Sequence, residues 1–343
     1  MAIGLVFGVV VERTRFCAMG ALSDLHAFND GRRLRAWLLA SAVALIGAQS
    51  VQAAGLVDLG LSMYLTPTIN WLGNSLGGLM FGVGMVFAGG CASRNLVRLG
   101  GGDVRAAVVL VVMGVCAYVT LGGVLGPLRV ALESATAITL PGETEQSLSA
   151  LLSLATGWPR LNTGLLVSAI VAGGLLIYCL RDGEFRRSPA LWAGGVLVGL
   201  CVVAAWVLSG LAYDEFAAAP QLPQGLSFVR PTGDTLDYLE RYTANPVPGF
   251  GVATVMGTLL GALVAALSAG RFKLAGFADG ADTLRNLAGA ALMGVGGVVA
   301  MGCSIGQSVS GVSTLAVGSL LAALSLVVGG LLGLRWLERS LGT

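Results

Sequence analysis

The conspicuous shortage in this 343-residue sequence is charge: Asp, Glu, Lys and Arg make up 11%, against 55% apolar residues and a mean hydropathy of +0.83. A soluble globular surface carries about a quarter charged residues, so this chain lacks the charge to face water all round. Histidine is nearly absent, with His26 alone, and the six cysteines form no CxxC pair. Those gaps remove the usual sequence support for zinc ligation and thioredoxin-like redox chemistry. No GxxxxGK[ST] phosphate loop occurs, which argues against ATP-driven pumping by this chain. No basic stretch precedes the first apolar run, Met1 to Val11, so the first segment is expected to act as its own insertion signal rather than a cleaved leader. A net charge of +2 provides no basic face for nucleic acid, and a secreted disulfide scaffold is equally excluded.

What is present is repeated apolar runs of bilayer-spanning length. They predict an all-α polytopic membrane protein, a single integral membrane domain over 1–343, with nine segments: 2–28 (interrupted), 36–56, 71–92, 105–126, 162–180, 190–212, 249–269, 286–310 and 312–334. The connecting loops then alternate in charge. Loops 29–35, 94–105, 181–187, 271–285 and 335–339 hold 14 of the 20 basic residues, and by the positive-inside rule they face the cytoplasm. Loops 57–70, 127–160 and 213–248 hold Arg129, Arg160, Arg230 and Arg241 beside nine acidic residues, Glu143 among them. An odd segment count puts the N-terminus outside and the C-terminus inside. The two long outer loops contain eight of the ten prolines and read as caps of short helix and turn.

Fifty-two glycines indicate closely packed, interrupted helices. Residues 79–91, LMFGVGMVFAGGC, and 292–303, LMGVGGVVAMGC, share seven of ten positions when aligned on their cysteines. The topology runs these copies in opposite directions, which predicts an inverted repeat with halves of roughly 1–160 and 161–343 and a substrate site between them. After each cysteine the apolar pattern stops, at ASRNLVRLGGG and at SIGQSVSGVST. Irregular backbone at membrane depth is tolerated only where protein buries it or a cavity meets it, so short re-entrant or broken helices are expected. The first segment is interrupted too, by Glu12, Arg13, Thr14 and Arg15. Charges at that depth mark a pathway.

The cysteines divide accordingly. Cys116, Cys179 and Cys201 lie within uninterrupted runs and read as small apolar fillers. Cys17, Cys91 and Cys303 each sit at an interruption. Three thiols along one cavity can donate weak hydrogen bonds to a soft sulfur-bearing anion, ligate a soft metal such as Cu(I), or exchange disulfides. Further anion contacts are expected from Arg13, Arg15 and Arg94, from the breaks at Gly90 and Gly302, and from Gln307. No cofactor is expected, and His26 reads as an interfacial residue.

The strings RTRFCAMGALSD (13–24), FGVGMVFAGGCASRNLVRLGGG (81–102) and LMGVGGVVAMGCSIGQSVSG (292–311) resemble the YeeE/YedE family of bacterial inner-membrane proteins associated with uptake of thiosulfate and other sulfur compounds. The resemblance implies an hourglass-like bundle of nine spanning segments with short re-entrant helices and inverted pseudo-symmetry. It also implies three pathway cysteines, matching Cys17, Cys91 and Cys303, that pass thiosulfate inward by transient S–H to sulfur hydrogen bonds. A small cytoplasmic TusA-like sulfur carrier would receive the sulfur. Where thiosulfate members tend to carry a GCGxG-like turn, this chain has Cys91-Ala92-Ser93-Arg94-Asn95, so thiosulfate, another sulfur oxyanion and a selenium compound all stay open as substrates. A membrane-embedded thiol/disulfide oxidoreductase is the alternative from another class.

Overall fold

The computed structural model describes residues 1–141, 145–216, 220–244 and 246–341; Glu143 of the outer-loop acidic set lies outside the described residues. It is a helical bundle with one two-residue antiparallel pairing, Thr68–Ile69 against Ile138–Thr139. In chain order the helices are α1 (Ala2–Thr14), α2 (Ala18–Phe28), α3 (Arg32–Ala53), α4 (Trp71–Phe87), α5 (Ala92–Gly100), α6 (Val104–Leu121), α7 (Gly126–Thr136) and α8 (Leu148–Thr156). There follow α9 (Arg160–Leu180), α10 (Gly183–Arg186), α11 (Pro189–Leu211), α12 (Val229–Glu240), α13 (Phe250–Ser268), α14 (Gly280–Val299) and α15 (Val317–Leu341), with a π-helical turn, Gly306–Gly311, before the last.

Among the described residues, seven helical segments are long and apolar enough to cross a membrane. The nine expected from the apolar runs are not reached by single helices, and the two runs that fall short are 2–28 and 286–310. The first is divided into α1 and α2, 13 and 11 residues long. The second is divided into α14, which opens on the polar stretch GADTLRN, and a short helix over 304–313. One of the seven, Trp71–Gly100, is itself interrupted between α4 and α5.

Glycine lets the interrupted helices approach backbone to backbone. A Cβ on Gly84 would lie 2.7 Å from the Gly289 carbonyl oxygen, and one on Gly296 would lie 2.7 Å from the Gly77 carbonyl oxygen. Shifting the first copy by 212 residues carries Gly84 onto Gly296 and Gly77 onto Gly289, so these are two views of one antiparallel crossing of α4 and α14. The same shift carries the start of α6 onto the start of α15. The flanking spans then pair crosswise: α15 packs along α4, and α6 packs along α14. An inverted relation between the two copies is thus visible in the contacts themselves.

The long loops do more than cap the bundle. The chain at 224–228 runs inward, burying Leu226 and Phe228 completely, with Phe228 stacked on Phe7 of α1 at 5.0 Å. From there α12 packs along α6 and α13.

Candidate functional site

The two repeated breaks have the same local construction. Helix α4 closes with Gly89 in the left-handed region (φ 66°), with the Gly89 N–H bonded to the Val86 carbonyl and the Gly90 N–H to the Met85 carbonyl. This Schellman closure satisfies carbonyls that would otherwise be orphaned. The next residue, Cys91, is already the N-cap of α5. Helix α14 ends identically, Met301 taking the left-handed position (φ 58°) and donating to the Val298 carbonyl, while Gly302 donates to Gly297. Cys303 then begins the helix over 304–313, its Sγ accepting from the Gly306 N–H at 3.3 Å. At the first break Arg15 is left-handed (φ 54°) and Cys17 caps α2, accepting from the Gly20 N–H at 3.4 Å. All three interruption cysteines therefore stand where a chain leaves one helix and enters the next.

A side-chain amide supports each of the two repeated breaks. Asn95 donates to the carbonyls of Gly90 (2.8 Å) and Cys91 (3.2 Å), and Gln307 donates to the carbonyl of Ala300. Both stand four residues after the cysteine, and the 212-residue shift superposes them. Arg98 adds bonds to Ala88 and Gly89, and Asp103 holds its guanidinium at 2.7 Å. Burial pulls the Asp103 carboxyl upward, but hydrogen bonds from Arg105 and Arg98 outweigh it and leave it below the usual carboxylate range.

Two cavities enter from opposite ends. The one on the side of the long loops has a volume of about 820 Å³ and ends at Ser227, Met301 and Gly302, beside Cys303. Ser227 Oγ lies 3.8 Å from Cys303 Sγ. The one on the arginine-rich side, about 420 Å³, is lined by Glu12, Arg15, Arg33, Arg94 and Arg271 and ends at Cys17. Cys91 and Cys303 are each 1% exposed. The side chains of Cys17 and Cys91 are neighbours, Ser93 Oγ lies 3.4 Å from Cys91 Sγ, and the Ser304 side chain adjoins Cys91 as well. Ser304 follows Cys303 in sequence, so Cys303 stands one residue from a side chain that adjoins Cys91.

The other expected residues separate. Arg15 and Arg94 line the arginine-side cavity, whereas Arg13 is outside it and donates to Ser268 at 2.9 Å. The N–H groups of Gly90 and Gly302 are engaged in the helix closures, so these glycines offer space rather than donors. Gln307 is 3% exposed; its amide nitrogen is committed to Ala300 and its oxygen has no hydrogen-bond partner among the described residues. Cys179 donates to the Arg35 carbonyl at 3.3 Å, and His26 meets Glu338 at 3.1 Å. Sequence reasoning missed Asn95, although the shared cysteine-plus-four spacing carried that signal. The charged interruption that begins at Glu12 does line this cavity, as its depth suggested, but Arg271, the partner across from it, was missed and had no local signal.

Comparison with known proteins identifies the family. The chain matches the family described as Sulphur transport over residues 13–332. It is 30% identical over 346 residues to the thiosulfate transporter TsuA of Spirochaeta thermophila, covering 96% of this chain and 95% of that one. It is 31% identical over 317 residues to the thiosulfate transporter TsuA of Escherichia coli K12, covering 89% and 84%. A probable transporter, YedE of Salmonella typhimurium, matches over 107 residues at 35% identity, covering 31% and 24%. With most of its length matched by the family and by full-length transporters, the chain belongs to the Sulphur transport family and is a membrane transporter rather than an enzyme.

Proposed function

We propose that the chain carries thiosulfate into the cytoplasm through the three thiols, in the order Cys303, Cys91, Cys17. The observation that supports this reading is the placement of these residues as helix N-caps between two opposed cavities. An anion leaving water needs replacement donors. An S–H group offers a weak, polarisable one suited to a terminal sulfur. Helix N-termini add favourable dipoles around the same points. The names of the two full-length relatives supply thiosulfate as the substrate.

The loop-side cavity is the entrance and the arginine-rich side the exit. The positive-inside rule then places the arginine face in the cytoplasm of a bacterium, with the protein in its inner membrane and the N-terminus outside. That face is where a TusA-like sulfur carrier would dock.

Growth on thiosulfate of a bacterium lacking its own uptake systems tests the pathway. Expression of the chain restores growth; Cys17→Ala, Cys91→Ala and Cys303→Ala each abolish rescue at equal membrane abundance, while Cys116→Ala, Cys179→Ala and Cys201→Ala retain it. Rescue that survives all three of the first set sinks the thiol pathway.

A further inference from the structure

The arginine-side cavity contains one carboxylate among its guanidinium groups. Glu12, at the C-terminal end of α1, has a side chain only 13% exposed. Its oxygens lie 3.8 Å from Arg94 Nη1 and 3.8 Å from Arg271 Nε. A formed charge-assisted hydrogen bond is about 2.7–2.9 Å long, so Glu12 is suspended between two cations without hydrogen-bonding either. Arg94 Nη1 is buried and has no hydrogen-bond partner among the described residues. Leaving a buried charged donor unmade is costly, so this nitrogen is poised for an acceptor that the protein does not supply.

The remaining cations leave the cavity net positive. Arg33 pairs with Asp24 at 3.2 Å, but Arg15, at the mouth, has no ion pair within 4 Å among the described residues. The cavity ends on the thiol of Cys17. Arg94 and Arg271 line the same cavity as that thiol, and Glu12 lies within 4 Å of both.

We propose that Arg94 and Arg271, with Arg15, form a release site for the transported anion, and that Glu12 is its internal competitor. Resting on the thiosulfate reading above, the inference adds how the anion is let go. When the anion arrives at Cys17 it completes the hydrogen bonds that Glu12 leaves unmade. As it departs, the Glu12 carboxylate returns to the shared cations and prevents the site from becoming a trap. An anion site of two or three unopposed arginines would hold its cargo; a tethered carboxylate keeps the two occupants close in free energy.

The test is equilibrium binding of thiosulfate to the purified full-length protein, beside initial rates of uptake in vesicles. Glu12→Gln is expected to bind thiosulfate about tenfold more tightly and to lower both KM and the maximal rate, because release slows. Arg271→Gln is expected to weaken binding. Glu12→Asp keeps the charge on a shorter stem and should fall between wild type and Glu12→Gln, so the series is readable even where the glutamine variant folds poorly. Binding by the wild type that Glu12→Gln leaves unchanged or weakens overturns the competitor while the thiol pathway stands. No binding by wild type or variant overturns both.

Discussion

The two repeated breaks share a skeleton and differ in their dressing. Around Cys91 the chain places Arg94 and Arg98; the 212-residue shift puts Gly306 and Ser310 at the corresponding positions around Cys303. The first break faces a cavity rich in guanidinium groups, and its carbonyls are held by Asn95 and Arg98 together. The second is enclosed by neutral groups. Ser310 there donates to the Leu226 carbonyl at 2.8 Å, and a Cβ on Gly306 would lie 2.8 Å from Ser227 Oγ. One fold has therefore been used twice, with charge reserved for the copy that opens toward the arginine face. A guanidinium at the first break has Glu12 and Asp103 as nearby counter-charges, whereas the second break is held by hydroxyl and amide groups that need none.

The largest effect should come from breaking what the copies share. Gly84→Val and Gly296→Val each force a side chain into the α4–α14 crossing, against backbone that cannot turn aside. Each is expected to cost about 3 kcal/mol, with closely similar falls in the thermal unfolding temperature of the detergent-solubilised protein. A large loss from only one would show that the crossing is not symmetric in energy.

Next come the supporting amides, where the copies should part company. Gln307→Ala removes the side-chain amide that meets Ala300, at a buried site, and should cost about 3 kcal/mol. Asn95→Ala leaves Arg98 holding Ala88 and Gly89, so about 1 kcal/mol is expected, by the same unfolding measurement. Equal losses would contradict the idea that Arg98 shares the load at the first break.

The smallest effects concern the left-handed position. Gly89→Ala should destabilise by about 1 kcal/mol, since alanine resists φ 66° and its Cβ would lie 2.9 Å from Arg98 Nη1. Met301→Gly should move the other way by up to about 1 kcal/mol by relieving the same conformation. Chemical denaturation read by tryptophan fluorescence resolves the opposed signs; shifts of the same sign would rule out backbone strain as the cause.

Much of this was legible from the residues alone. GGC and MGC followed by polar runs announced helix ends, because glycine, small polar residues and an abrupt loss of apolarity have few other uses at membrane depth. The opposed directions followed from counting arginines in loops. What stayed hidden was long-range pairing. Arg271 reads in sequence as one more positive loop residue, and nothing near it names Glu12, 259 residues earlier, as its partner. The break after Cys303 was expected, but not that Met301 would make its turn, since methionine carries none of glycine's warning of a positive φ.

The crosswise pairing of spans also sets a clock on assembly. Gly82 on α4 packs against the backbone at Leu326 and Gly330 of α15, which emerge some 244 residues later, the difference between 326 and 82. At about 5–20 residues per second of synthesis, α4 waits on the order of ten to fifty seconds with its glycine face uncovered. During that interval the first broken helix must be kept in the membrane by lipid, by the insertion machinery or by earlier helices, and a ribosome that stalls before α15 leaves it without the partner that closes it.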